Sequence, residues 1–178
     1  MEKINKIKEL AILLHGNQKR KYTGEPYVTH TFRVSDMVKE YGGDEAMVYA
    51  AVLHDVLEDT PTTESELLEE IMSIVEPNIA MDVIRLVKEL TDVFTTENYP
   101  KINRKGRKEM EAIRMGRISP RAQTIKYADL LDNSEDIMRN DPKFGKLYIK
   151  EKEVILKHMN KGNKNLYEKC LKIINKYI

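Results

Sequence analysis

The sequence predicts an all-α fold, arranged as a single-domain bundle of about eight to ten helices. Three observations lead to this prediction. Apolar residues recur three and four positions apart through nearly the whole chain, which is the spacing of one helix face. Residues that favour helix starts and ends stand at the boundaries of these segments. No segment shows the alternation of apolar and polar residues that is typical of a half-buried strand.

Five helices are predicted in the first half of the chain, and the first of them is amphipathic. Gly42 and Gly43 end the second helix, and Asp44 is suited to cap the third, which is apolar on most sides and therefore central. Thr63 and Glu66 are spaced as a capping box at the start of the fourth. The predicted helices cover residues 3–18, 29–41, 44–57, 63–77 and 79–91.

Four more helices are predicted in the second half. A polar segment, residues 92–103, precedes a strongly basic helix that ends near Gly116. Pro120 suits the first turn of the next helix, and Asp141 followed by Pro142 starts another. The last three predicted helices cover residues 120–138, 141–161 and 164–177.

Composition limits the classes of function. The 178 residues suffice for one domain with a full core, which we expect to span residues 1–178. Thirty basic and 29 acidic residues give a net charge of +1, which argues against a protein-wide nucleic-acid-binding surface. No apolar run approaches the roughly 20 residues that span a bilayer. The single Cys170 excludes an internal disulfide, so a cytoplasmic protein is expected.

The segment AAVLHDVLEDT, residues 50–60, interrupts an apolar run with four ionisable side chains. On a continuous helix His54 shares a face with Glu58, and Asp55 shares one with Glu58 and Asp59. Burying a charge without a partner costs several kcal/mol, so an ion pair, a surface stripe or a metal must compensate. Imidazole and carboxylate groups are ligands that hold Mn²⁺, Fe²⁺ or Zn²⁺ without thiolates.

Two residues elsewhere in the chain offer further ligands of the same kind. His30 opens the second predicted helix, and Asp129 interrupts the apolar segment TIKYADLLDN. Each of them, taken alone, fits a hydrogen-bonded core or surface residue. Together with His54 and Asp55 they would form a half-cage from three helices, with positions left for water or substrate.

The segments AILLHGNQKRKYTGEPYVTH, AAVLHDVLEDT, LVKELTD and TIKYADLLDN resemble the hydrolase domain of RelA/SpoT-homologue proteins. This is a branch of the HD phosphohydrolase superfamily, and the similarity is greatest to the small alarmone hydrolases of the metazoan SpoT-homologue type. The resemblance implies an HD-type helical bundle. It also implies four metal ligands, usually for Mn²⁺: His30, His54, Asp55 and Asp129.

The resemblance further implies roles for residues around the metal. Glu58 and Asp59 match an acidic pair that activates or positions the attacking water. The implied nucleotide contacts are Arg20, with Lys21 as a companion, and Asn133 near the ribose. Lys101 matches a position that approaches substrate phosphates. Lys126 lies one turn before Asp129, so it could reach toward the metal site.

The activity implied by the resemblance is hydrolysis of the 3′-pyrophosphate of ppGpp or pppGpp, which makes the expected partner a phosphorylated nucleotide. Two departures concern the substrate. Leu130 stands where these hydrolases commonly have a basic residue, and Asp132 adds a negative charge. One alternative is therefore an HD phosphatase acting on another phosphorylated nucleotide such as NADPH. A second is a nucleotide- or nucleic-acid-binding module with a vestigial site, and the oligomeric state is open.

Overall fold

The computed structural model describes residues 2–178, and the described chain contains ten α-helices and no strand. The all-α prediction is confirmed. The chain divides into two compact units, the first ending at Thr91 and the second beginning at Asp92. A single domain over residues 1–178 stays a prediction.

The first unit contains six helices, of which the third is central. Of the nine residues of this helix, only its first, Glu45, is not buried. It packs against the first, second and sixth helices. The helices are α1 (Glu2–His15), α2 (Val28–Glu40), α3 (Glu45–Leu53), α4 (Val56–Asp59), α5 (Glu64–Met72) and α6 (Pro77–Leu90).

The second unit contains four helices, three of which pack against one another in pairs. These three are α8, α9 and α10, and α7 packs on α9. Tyr127, which is fully buried on α8, donates a hydrogen bond to the Met159 carbonyl oxygen across 2.8 Å and so ties α8 to the end of α9. The helices are α7 (Arg104–Met115), α8 (Pro120–Asn140), α9 (Pro142–His158) and α10 (Lys164–Tyr177).

The predicted helix starts agree with the structure because the capping side chains form the expected bonds. The Asp44 carboxylate accepts from the Met47 N–H at 3.0 Å. Thr63 and Glu66 form a complete capping box at the start of α5. Asp141 caps α9 by accepting from the N–H of Phe144. Such a cap contributes about 1 kcal/mol to helix stability.

The predicted continuation of the third helix to Leu57 is wrong. The helix ends at Leu53, and His54 and Asp55 form a turn before the short α4. The ring Nδ1 of His54 lies 2.8 Å from the carbonyl oxygen of Ala51. That oxygen is the acceptor that the Asp55 N–H would use in a continuous helix, so the ring competes with the backbone. The argument from a shared helix face therefore does not hold across this turn.

Backbone hydrogen bonds hold the loop between α1 and α2 in a defined conformation, and this loop carries one of the predicted nucleotide contacts, Arg20. Gly16 ends α1 with a φ of +53°, a left-handed conformation that favours glycine. The backbone N–H of Tyr27 donates to the Gln18 carbonyl oxygen at 2.9 Å, and the N–H of Arg20 donates to that of Glu25 at 2.8 Å. Gln18, Arg20 and Tyr27 therefore project from a defined backbone next to α2.

Candidate metal centre

Three of the predicted ligands lie together in the first unit. One ligand atom from each of His30, His54 and Asp55 lies within 4.8 Å of the others, and all three residues are buried. His30 comes from the first turn of α2, and the other two come from the turn after α3. The turn places the imidazole and the carboxylate of adjacent residues on the same side, where they meet His30.

The hydrogen bond at Nδ1 determines which ring nitrogen of His54 is available to a metal. A carbonyl oxygen only accepts, so Nδ1 carries the proton that is donated to Ala51. The Nε2 atom of a neutral ring then presents a lone pair, 3.1 Å from Oδ2 of Asp55. Nε2 of His30 lies 3.7 Å from the same oxygen. Nε2 of His54 and Oδ2 of Asp55 are electron donors, so a cation beside them suits the arrangement. Two imidazole nitrogens with one carboxylate oxygen fit a divalent metal.

Tyr27 holds the carboxylate of this cluster. Its hydroxyl donates a hydrogen bond of 2.7 Å to Oδ2 of Asp55. The Tyr27 ring is stacked on His15 with 5.0 Å between centroids, and the buried guanidinium of Arg20 lies 5.9 Å from the ring centroid. Arg20 therefore lies beside the residue that holds Asp55, and its role as a nucleotide contact stays a prediction.

The two residues predicted to be catalytic, Glu58 and Asp59, are exposed on α4, directly after the cluster. The Asp59 carboxylate accepts a hydrogen bond of 3.0 Å from Nε2 of Gln18. The Oε1 atom of Gln18 accepts from Nδ1 of His15 at 2.7 Å. A chain of hydrogen bonds therefore runs from the end of α1 to Asp59 and limits the orientations of its carboxylate.

Asp129 lies in the second unit, buried on α8, where both of its oxygens are engaged. Oδ2 lies 2.8 Å from Nζ of Lys126, and Oδ1 accepts from Nδ2 of Asn133 at 2.6 Å. The prediction that Lys126 and Asp129 share a helix face is confirmed. The role of Asp129 as a fourth metal ligand, beside His30, His54 and Asp55, stays a prediction.

Lys21 and Lys101, the remaining predicted contacts, are both exposed. Nζ of Lys21 lies 4.9 Å from the ring centroid of Tyr22 in the loop before α2. Lys101 lies in the irregular segment before α7.

Sequence reasoning missed three residues. Gln18 contacts Asp59, and His15 contacts Gln18. His15 and Gln18 stand three residues apart after the apolar stripe of the first predicted helix, and this spacing is the signal that could have found them. Lys152 was also missed, because nothing in its lysine-rich surroundings distinguishes it. Burial, followed by repulsion from the Lys126 ammonium, lowers the pKa of Lys152 to about 8.

Comparison with known proteins identifies the family. A family model described as an HD domain matches residues 8–154. The chain belongs to the HD domain family. Guanosine-3′,5′-bis(diphosphate) 3′-pyrophosphohydrolase MESH1 of Drosophila melanogaster is 36% identical over 137 residues, which cover 75% of this chain and 69% of that protein. The human protein of the same name is 35% identical with the same coverage.

Longer relatives match over a smaller share of their length. A guanosine-3′,5′-bis(diphosphate) 3′-pyrophosphohydrolase of Aquifex aeolicus is 36% identical over 74% of this chain, which spans only 17% of that protein. Among solved structures, a metazoan orthologue of SpoT, described as hydrolysing ppGpp, superposes with a TM-score of 0.80 at 28% identity. That match covers 99% of this chain and 96% of the other. The HD-type fold is therefore confirmed.

Two further findings bear on the expectations from composition. Within residues 2–178, no helix combines the length and the apolar character needed to cross a membrane. Cys170 is a free, buried cysteine, and burial raises the pKa of its thiol.

Proposed function

We propose that this protein is a metal-dependent hydrolase that removes the 3′-diphosphate of the guanosine alarmones ppGpp and pppGpp. The products are GDP or GTP and pyrophosphate. The observation that carries the proposal is the buried cluster of two imidazoles and one carboxylate. The substrate is supported by the animal relatives, whose names state a guanosine-3′,5′-bis(diphosphate) 3′-pyrophosphohydrolase. A cytoplasmic location is part of the proposal.

The residues that would hold the metal are His30, His54 and Asp55, with Asp129 as the fourth ligand. We propose Mn²⁺ as the ion, because the hydrolases that this sequence resembles usually hold Mn²⁺ and a mixed set of nitrogen and oxygen ligands accepts it. When bound, a divalent ion lowers the pKa of water and neutralises charge on a phosphate oxygen. Tyr27 contributes by orienting the Asp55 carboxylate through its hydroxyl.

The exposed acidic pair supplies the proton acceptor for the attacking water. Asp59, held by Gln18, or Glu58 accepts a proton while the water oxygen bonds to the phosphorus attached to the ribose 3′-oxygen. The bond between that phosphorus and the 3′-oxygen breaks. The 3′-oxygen then takes up a proton, which leaves a 3′-hydroxyl on the nucleotide and releases pyrophosphate.

The proposed nucleotide contacts are the basic and polar residues that the sequence predicts. Arg20 is buried beside Tyr27, which suits it to receive a negatively charged group next to the metal ligands. Lys126 and Asn133 both contact Asp129, so they can orient this ligand as well as contact substrate. Lys21 and Lys101 are both exposed, and they are proposed as contacts for phosphate oxygens.

The test is turnover of ppGpp by the purified, Mn²⁺-loaded protein, with both nucleotide and phosphate products identified. We expect pyrophosphate from the wild type and none from His54→Ala or Asp55→Ala. The matched control is His158→Ala, which removes an exposed imidazole on α9 and should leave turnover unchanged. A folded, metal-loaded sample that does not turn over ppGpp would refute the substrate assignment.

The same assay separates the alternative functions. Release of orthophosphate from NADPH, without pyrophosphate from ppGpp, would support an HD phosphatase with another nucleotide substrate. Binding without any turnover, and without dependence on metal, would support a nucleotide- or nucleic-acid-binding module.

A further inference from the structure

A groove on the surface of the second unit lies between α7 and α9, the two helices that supply all of its lining residues. Its volume is about 410 Å³, within the range of roughly 300–1,000 Å³ that is usual for binding pockets. Two lining residues are apolar, Leu147 and Val154, and they are 47% and 36% exposed. The other lining residues are charged: Arg104, Lys105, Lys108, Glu109, Lys150 and Glu151.

The surface of this groove is mostly apolar, although most of its lining residues carry a charge. Long basic side chains can line a surface with their methylene groups while their charged ends stay in solvent. Leu147 and Val154 stand seven residues apart on α9, which is about two turns, or about 10.5 Å. An amphipathic helix presents apolar residues at this same spacing, so the groove fits the apolar face of such a helix.

The charge around the groove is positive in excess. Together, α7 and α9 carry ten lysine and arginine residues and only four glutamates. Arg104 is paired with Glu151 through two hydrogen bonds of 2.8 and 2.9 Å. Nζ of Lys105 lies 4.0 Å from Glu109 in an exposed pair, and Lys150 forms no ion pair within residues 2–178. A partner that carries negative charge is therefore attracted to this surface.

Two other classes of occupant fit these observations less well. Nucleic acids bind through phosphate contacts and through bases stacked on aromatic rings, and no aromatic residue lines the groove. A second copy of this chain offers α5, which contains four glutamates among its nine residues. However, Leu67 and Ile71 of that helix are buried in their own unit, and Met72 is its only exposed apolar residue.

We propose that the groove between α7 and α9 is the docking site for an acidic amphipathic helix of a partner protein. Leu147 and Val154 contact the apolar face of this helix. Lys105 and Lys150 attract the carboxylates that flank the face. The docking site shares no residue with the candidate metal centre, so its test does not depend on the hydrolase activity.

The experiment measures binding of a synthetic amphipathic helix to the full chain by calorimetry. The probe is a peptide of about 18 residues, with leucines at positions i, i+3, i+4 and i+7 and glutamates beside them. We expect the wild type to bind it with micromolar affinity, and not to bind a peptide of the same composition in scrambled order. Replacing Leu147 and Val154 together by serine should weaken binding by at least about 10-fold, because apolar contact area is lost.

The contribution of charge is measured with a second pair of variants. Lys105→Glu combined with Lys150→Glu should also weaken peptide binding by at least about 10-fold, and more strongly at low salt. Lys164→Glu combined with Lys172→Glu makes the same change of charge on α10 and should bind as the wild type does. All four lysines are exposed, so the variants should stay folded, which circular dichroism checks.

A folded wild type that does not bind the peptide would overturn the inference. So would a serine variant that binds as tightly as the wild type, since the attraction would then be electrostatic without use of the groove. Tighter binding of single-stranded poly(U) RNA, in competition with the peptide, would make the surface a nucleic-acid interface instead. Self-association in sedimentation experiments, lost in Lys105→Glu with Lys150→Glu, would assign the groove to a second copy of the chain.

Discussion

The hydroxyl of Tyr27 donates a hydrogen bond to Oδ2 of Asp55 across 2.7 Å, linking the loop before α2 to the turn after α3. This oxygen is also the one nearest to His54 and His30. The loop therefore determines the orientation of the carboxylate that faces both imidazoles, and the candidate metal centre extends beyond its ligands.

Replacing Tyr27 by phenylalanine removes this hydrogen bond while keeping the ring that stacks on His15. We expect Mn²⁺ affinity, measured by calorimetry, to fall by about 10- to 100-fold, which is typical when a partner of a metal ligand is lost. Tyr22→Phe alters a hydroxyl in the same loop and serves as the control. Equal affinities in Tyr27→Phe and wild type would show that the bond does not matter for the metal.

Gln18 is expected to act as a positioning residue for Asp59. In Gln18→Leu the carboxylate loses its amide partner, so kcat for ppGpp should fall by about 10-fold while Mn²⁺ affinity is unchanged. Asn17→Ala, at the exposed neighbouring position, should leave both quantities as in the wild type. If metal affinity and kcat fall together in Gln18→Leu, Gln18 supports the metal centre as a whole and has no specific role at Asp59.

Asp129 is the proposed ligand whose contribution requires a binding measurement. We expect Asp129→Asn to weaken Mn²⁺ binding to a similar extent as His54→Ala, by at least 10-fold, because the carboxylate is replaced by a poorer neutral ligand. The control is Asp136→Asn, further along α8. An Asp129→Asn variant with wild-type metal affinity would reduce the centre to His30, His54 and Asp55.

Asp92 should contribute to stability in a pH-dependent way. The ammonium groups around it hold the pKa of Asp92 below its usual value, although burial acts in the opposite direction. Its ionised form is therefore stabilised in the folded state, and this contribution is present above about pH 4 and is lost as the pH falls below that.

Asp92→Asn should accordingly lower the free energy of unfolding by about 2 kcal/mol at pH 7, since Lys108 loses its half-buried partner. The difference from the wild type should shrink as the pH is lowered below about 4 in urea titrations. Asp82→Asn, in an exposed pair with Arg85, should cost less than about 1 kcal/mol. A difference for Asp92→Asn that does not change with pH would contradict this account.

Local signals predicted the helices well because the residues that start them act within one turn. Asp44 and the pair Thr63 and Glu66 form the bonds that their spacing predicts. The end of α3 could not be predicted in this way. It depends on the His54 ring reaching the Ala51 carbonyl oxygen, and this requires a side-chain conformation that spacing does not reveal.

The same limit applies to the candidate site. His30, His54 and Asp55 come together as the pattern and the family resemblance indicated. The bond between Tyr27 and Asp55 could not be predicted, because it joins positions that are 28 residues apart. The position of Lys152 depends on how α7, α8 and α9 pack, so it follows from tertiary contacts that no local pattern contains.

The turn after α3 has a consequence for how homologous chains can vary. Since each residue of a helix adds a rotation of about 100°, inserting or deleting one residue at the end of α3 would swing the Asp55 carboxylate away from the His30 ring. Apolar residues in this window can exchange for others of similar volume at modest cost. Insertions and deletions in this stretch should therefore be selected against far more strongly than substitutions of apolar side chains.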